Sequence, residues 1–152
     1  EIYTLSLHDA LPISIKNLSG GELQKVSIAA CLLQKVDLYA LDEPSAFLDV
    51  EDRIAVAKFL QQFTRSFGKS AMVIDHDLQL LDLISDSIVI FQGTSGINGH
   101  ASSPMPKVDA MNEFLKSLNI TFRRDEKSKR PRVNKENSRL DKTQKASSNF
   151  YY

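Results

Sequence analysis

The sequence predicts an α/β fold built on a mainly parallel sheet with flanking helices. Short apolar runs at 38–41, 71–74 and 87–91 have the length and content of buried strands, and amphipathic helical stretches alternate with them. Acidic residues and a histidine stand just past the first two runs, at the strand ends where open α/β sheets collect ligands.

The elements follow in order from Ile15. Ser19-Gly20-Gly21-Glu22 is an S-x-x-E capping box, and Leu23, Val26, Ala30 and Leu33 recur behind it at helical spacing. Leu38-Tyr39-Ala40-Leu41 is a strand stopped by Asp42-Glu43-Pro44. Asp49 caps a second helix whose apolar face is Val56, Phe59, Leu60, Phe63 and Phe67, and Gly68 closes it. Ala71 to Ile74 is the next strand, followed by Asp75-His76-Asp77 and a short helix bearing Leu78, Leu81 and Ile84. A third strand is expected over Ser87 to Phe91, then an exposed loop from Gln92 to Pro106 and a docking helix with Val108, Met111, Leu115 and Leu118. From Arg123 the chain is polar and basic with little periodicity, so an extended or disordered tail is expected.

A length of 152 residues and 42% hydrophobic content suffice for one core, and no apolar run approaches the roughly 20 residues of a membrane span, so no membrane partner is expected. The single cysteine, Cys31, sits among apolar neighbours and reads as a core thiol; one cysteine fits a reducing, cytoplasmic setting. The net charge of zero hides an asymmetry. Between Phe122 and Lys145 stand ten Lys or Arg against four acids, a surplus of six positive charges that the rest of the chain balances.

Two spots carry chemistry. The helix start at Ser19, Gly20, Gly21 and Glu22 presents N–H groups and a partial positive charge suited to a phosphate; it is equally a plain helix cap. Asp42 and Glu43 at a strand end can hold Mg²⁺ through water and orient or deprotonate an attacking water; the alternative is two solvated acids before a proline turn. By themselves Asp49 reads as a helix cap and His76 as a structural or solvent-facing histidine.

Taken together, Leu18 to Gln24, Leu38 to Glu43, Pro44 to Asp49 and His76 resemble the signature, Walker B, D-loop and switch histidine of ABC ATPases, in that order. Ser45-Ala46 and the tail, with Ile120-Thr121-Phe122-Arg123-Arg124-Asp125, Arg130-Pro131-Arg132-Val133-Asn134-Lys135, Asn137-Ser138 and the closing Phe150-Tyr151-Tyr152, resemble the second ATPase domain of the RNase L inhibitor family. The resemblance implies a twin-ATPase parent that uses ATP and Mg²⁺, carries iron–sulfur clusters in an N-terminal domain and splits ribosomes into subunits. It also implies as partners a first ABC domain of the same parent, the ribosomal small subunit and release or initiation factors. Glu43 and His76 become catalytic, Asp42 the magnesium residue, and Ser19, Gly20, Gly21, Glu22 and Asp49 nucleotide-binding, the signature serving the partner domain's nucleotide.

The family pattern is met in part. G-x-x-x-x-G-K followed by Ser or Thr does not occur, Gly68-Lys69-Ser70 lies in the wrong context, and the glutamine loop is missing. The expected organisation is a non-native leader over 1–14, an incomplete P-loop NTPase domain over 15–99, a loop and docking helix over 100–121 and a basic hinge or tail over 122–152. Such a piece is expected to be inactive alone. The leader reads as an adapter or assembly scar, or as a native loop and strand. The tail reads as an RNA contact or as a segment packing on the acidic body. The rival functions are the ATPase subunit of an ABC transporter and a catalytically dead RNA- or ribosome-binding fragment.

Overall fold

The computed structural model describes residues 14–127 and 130–152. The leader expected over 1–14 therefore lies, Ser14 apart, outside the described residues. The chain forms two compact units, one reaching Leu80 and the other running from Leu81 to Tyr152.

The described part of the first unit holds a 3-10 turn at Ile15–Asn17, then α1 (Gly20–Leu32), β1 (Leu38–Asp42), α2 (Val50–Phe67) and β2 (Ser70–Ile74). β1 and β2 pair in parallel, from Leu38 opposite Ser70 to Asp42 opposite Ile74. Parallel pairing requires a crossover, which α2 supplies. The core is Ile28 and Leu32 of α1, Tyr39 and Leu41 of β1 and Leu60 of α2, with Cys31, Val56, Phe63 and Val73 packed against it. Tyr39 meets Phe63 edge to face at 5.5 Å, and its hydroxyl donates to Gln34 O at 2.8 Å. A buried aromatic with a polar tip is thus satisfied at both ends.

The inward face of α1 differs from the expected one. Leu23, Val26 and Leu33 are exposed, and Ile28 and Leu32 point inward. Apolar residues surround this helix on every side, so spacing alone does not choose a face. In α2, Val56, Leu60 and Phe63 pack as expected, while Phe59 and Phe67 flank Phe63 on the outside at 6.2 and 5.0 Å. Gly68 ends α2 in the left-handed region at φ 60°, where a side chain would be strained.

The second unit holds the end of α3 (Leu78–Ile84), then β3 (Ser87–Ile88), β4 (Phe91–Thr94), β5 (Asn98–Ala101), β6 (Met105–Pro106), α4 (Lys107–Ser117), β7 (Phe122–Arg124), β8 (Pro131–Val133) and α5 (Arg139–Ala146). Its strands form three small antiparallel pairs, β3 with β6, β4 with β5 and β7 with β8. Parallel pairing among the described residues is therefore confined to β1 and β2 as a sheet. The single strand expected over Ser87 to Phe91 divides at the buried Ile90, whose N–H and C=O both bond Ser102. The expected loop over Gln92 to Pro106 is instead largely a hairpin. Its turn closes through Ile97 N–H to Thr94 O at 3.0 Å with Gly96 at φ 74°, while Gly93 and Gly99 pair within the strands, so of the glycines that suggested a loop one makes the β-turn.

The tail is also folded, contrary to the extended or disordered segment expected. Thr121, Asn134, Asp141 and Gln144 are all buried and bonded to one another. Thr121 Oγ1 donates to Asp141 Oδ1 at 2.6 Å, Asn134 Nδ2 donates to Thr121 Oγ1 at 2.9 Å and to Gln144 Oε1, and Gln144 Nε2 donates to Phe122 O at 2.9 Å. A core assembled from satisfied polar groups carries no hydrophobic period, which is why composition misled. The chain end docks beside β7: Phe122 N–H reaches Phe150 O at 2.7 Å, and Tyr151 N–H reaches Asn112 Oδ1 at 2.9 Å. Asp82 accepts from the Tyr151 hydroxyl and, at 2.9 Å, from the Tyr152 hydroxyl. Burial and that carboxylate push the Tyr151 phenol far above its ordinary value.

Candidate functional site

The ends of β1 and β2 bring three of the expected residues together. The parallel ladder runs one step past β1, where Glu43 N–H donates to Ile74 O at 2.7 Å. Glu43 itself adopts φ 44°, a left-handed conformation that costs a side-chain-bearing residue free energy. That turn points its carboxylate at the next loop. Glu43 Oε1 lies 3.4 Å from His76 Nδ1, and both side chains are largely exposed, at 56% and 77%. Asp42, also exposed, is the last residue of β1. A carboxylate, an acid–base pair and open solvent thus share one strand end.

Beneath the pair the loops are tied down. Ser45, 2% exposed, donates from its N–H to Asp75 Oδ2 at 3.1 Å and from its hydroxyl to Asp75 Oδ1 at 2.9 Å. Asp77 Oδ1 accepts from Gln79 N–H at 2.8 Å and caps the start of α3, and its Oδ2 takes Arg53 Nη1 at 2.8 Å. Arg53 also donates from Nε to Leu48 O at 3.0 Å, so one guanidinium braces two loops.

The second group gathers at the start of α1. Ser19 N–H donates to Glu22 Oε2 at 2.8 Å, while Ser19 Oγ accepts from Glu22 N–H at 3.3 Å, the reciprocal capping box expected from the sequence. The Ser19 N–H and the Ser19 hydroxyl, which also donates to Glu22 Oε2 at 2.8 Å, hold the Glu22 carboxyl below its ordinary range. Gly20 and Gly21 lie against Phe47: a methyl group on Gly21 would stand 3.0 Å from Phe47 O, and one on Gly20 3.3 Å from Phe47 Cβ. The glycines therefore admit another stretch of backbone. Asp49 Oδ1 accepts from Asp52 N–H at 2.8 Å, capping α2.

Ser19, Gly20, Gly21, Glu22 and Asp49 line one open depression, together with Lys25, Phe47 and Asp52. Asp42, Glu43 and His76 are not in its lining, and the link between the two groups is Gln24, whose side chain donates to Glu43 O at 3.2 Å. Lys25 pairs with Asp52 at 2.8 Å, a bond that raises the Lys25 ammonium's pKa. With that lysine paired and Glu22 and Asp49 alongside, an anion here would depend on the helix start. The sequence motifs contain Gln24, Ser45, Phe47 and Asp75 but give these residues no role of their own, and nothing local to Arg53 marks it as a brace.

Among the described residues no group of three or more His, Cys, Asp or Glu could hold a metal ion. Asp42 offers one exposed carboxylate. That suits magnesium, which keeps several of its waters and needs few protein ligands, and does not suit zinc.

The family model described as "ABC transporter" matches residues 3–46, a match that begins inside the stretch read as a leader and takes in the whole signature and Asp42-Glu43. An uncharacterized ABC transporter ATP-binding protein of Methanocaldococcus jannaschii is 48% identical over 99% of this chain, which covers 25% of that protein. Translation initiation factor RLI1 of Chaetomium thermophilum is 43% identical over 97% of this chain and 24% of its own length. An archaeal ribosome recycling factor, aABCE1, solved with the archaeal ribosomal stalk protein aP1, superposes with a TM-score of 0.85 at 48% identity, over 91% of this chain and 27% of that one. Close homologues of this chain are RNase L inhibitor family proteins. The chain spans about a quarter of the length of the curated RNase L inhibitor relatives it matches. The α/β fold expected from the sequence is shared with the solved structures of the archaeal recycling factor and of an RNase-L Inhibitor. No described helix is long and apolar enough to cross a membrane.

Proposed function

We propose that this chain is the C-terminal part of the second ATPase domain of a ribosome-recycling ABC ATPase, and that it contributes halves of two different nucleotide sites. The observation that carries the reading is the Glu43–His76 pair at 3.4 Å beside Asp42, held apart from the depression of the helix start. At the strand ends, Glu43 orients and deprotonates the attacking water, His76 contacts the γ-phosphate, and Asp42 holds Mg²⁺ through water, which would supply charge neutralisation on the phosphates. Ser19, Gly20, Gly21, Glu22 and Asp49 face a nucleotide on a partner ABC domain, where the α1 start binds a phosphate oxygen.

Support for the ribosome as target comes from relatives: a recycling factor bound to a ribosomal stalk protein, and a ribosome-bound assembly of archaeal Pelota with ABCE1. The proposed partners are accordingly a first ABC domain, the small ribosomal subunit and release or initiation factors, in the cytoplasm. These 152 residues contain no phosphate-binding loop and are proposed not to turn over ATP by themselves.

The test is Glu43→Gln in the full-length ATPase. ATP binding should persist while hydrolysis at this domain's site falls by roughly 10²-fold or more, leaving ATP rather than ADP on the washed protein. Unchanged hydrolysis there would remove Glu43 from the chemistry.

A further inference from the structure

Glu43 and His76 meet through exposed side chains on two separate loops, and such a pair is too weak and too screened to fix its own geometry. Whatever holds them face to face lies underneath. The β1–β2 ladder ends with Glu43 N–H to Ile74 O, so past that point other bonds must keep the loops in register.

Asp75, which immediately precedes His76, provides them. Its carboxylate receives Ser45 N–H at 3.1 Å, the Ser45 hydroxyl at 2.9 Å and Asp77 N–H at 2.8 Å. Two of these bonds cross from the loop after β1 and the third closes Asp75's own loop, so the carboxylate clamps both sides of His76. Ser45 follows the buried Pro44 and is itself buried, which shields the crossing bonds from water. Bonds to an ionised carboxylate are stronger than those to a neutral acceptor. We propose that Asp75, through Ser45, is the positioning residue that sets Glu43 against His76. This rests on the reading of Glu43 and His76 as acting on nucleotide.

The chemistry makes asparagine a poor substitute at 75. Both carboxylate oxygens accept from donors, so an amide would turn an N–H₂ group toward a donor on one side or the other. Ser45→Ala removes one bond and leaves the backbone N–H of residue 45 in place. Ser45→Thr keeps the hydroxyl.

The experiment measures ATP turnover, ATP affinity and melting temperature of the full-length ATPase carrying Asp75→Asn, Ser45→Ala, Ser45→Thr or Glu43→Gln. Asp75→Asn should lower kcat at this site about tenfold with KM for ATP within about twofold of the parent. Ser45→Ala should lie between, and Ser45→Thr close to the parent. A kcat for Asp75→Asn within twofold of the parent overturns the proposal. So does an equal loss in Ser45→Ala and Ser45→Thr, because the hydroxyl would then be irrelevant. Should Glu43→Gln keep full turnover, the reading of the site itself fails, and the positioning role falls with it. Turnover that is lost only in Glu43→Gln sinks the clamp alone.

Discussion

At Gly21 the distance to Phe47 O leaves no room for a methyl group without movement of a few tenths of an ångström. The moving group is backbone of the segment that leads into Asp49, and Phe47 already sits at φ 61°, where a side-chain-bearing residue is strained. Gly21→Ala should therefore displace the loop around Phe47 and lower melting temperature by an amount set by roughly 1 kcal/mol or more, even though alanine favours helices. Thermal unfolding by circular dichroism reads this directly; a rise in melting temperature would show that helix propensity outweighs the contact. The motif in sequence shows a helix start suited to a phosphate; the close approach of Gly21 to Phe47 O is a packing fact that no local sequence pattern encodes.

Elements were legible to different degrees. The capping box of α1, the Asp49 cap and glycine stop of α2, and the parallel strands β1 and β2 stand where spacing and cap chemistry put them. Those features are local, so a single stretch of sequence contains their cause. The β4–β5 hairpin and the tail depend on partners distant in sequence, as in the bond from Thr121 to Asp141, and were missed. The tail's buried Asp141 gives a pH signature. The Thr121 hydroxyl, then Lys145 and the Asn137 N–H, hold its carboxyl below the usual 3.8 despite burial. A carboxyl depressed in the fold contributes stability that is fully present above its unfolded value and is lost as pH falls through the folded one. Melting temperature should thus decline below about pH 4, and the decline should flatten in Asp141→Asn, at the cost of lower stability at neutral pH. An acid limb unaltered by the substitution would place the pH dependence on other carboxyls. Ser138, whose hydroxyl accepts from Asp141 N–H at 3.3 Å, caps α5 and gives a separate handle: Ser138→Ala should cost about 1 kcal/mol at neutral pH.

For the whole molecule, the division of labour between the two site halves is the claim from which the rest follows. The sequence placed four motifs in order, and the folded chain puts Glu43 beside His76 and puts Ser19 to Glu22 beside Asp49. Order along the chain could reveal the members of each group because each motif is local to one strand or helix end. It could not reveal the clamp between Ser45 and Asp75, which joins loops thirty residues apart. The sharpest measurement compares ATP hydrolysis by the full-length ATPase carrying Glu43→Gln, Ser19→Arg or both. Residues serving separate pockets predict that each single variant keeps the other site's share of turnover and the double variant keeps none. A double variant no slower than the slower single would put Ser19 and Glu43 in one pocket and contradict the account.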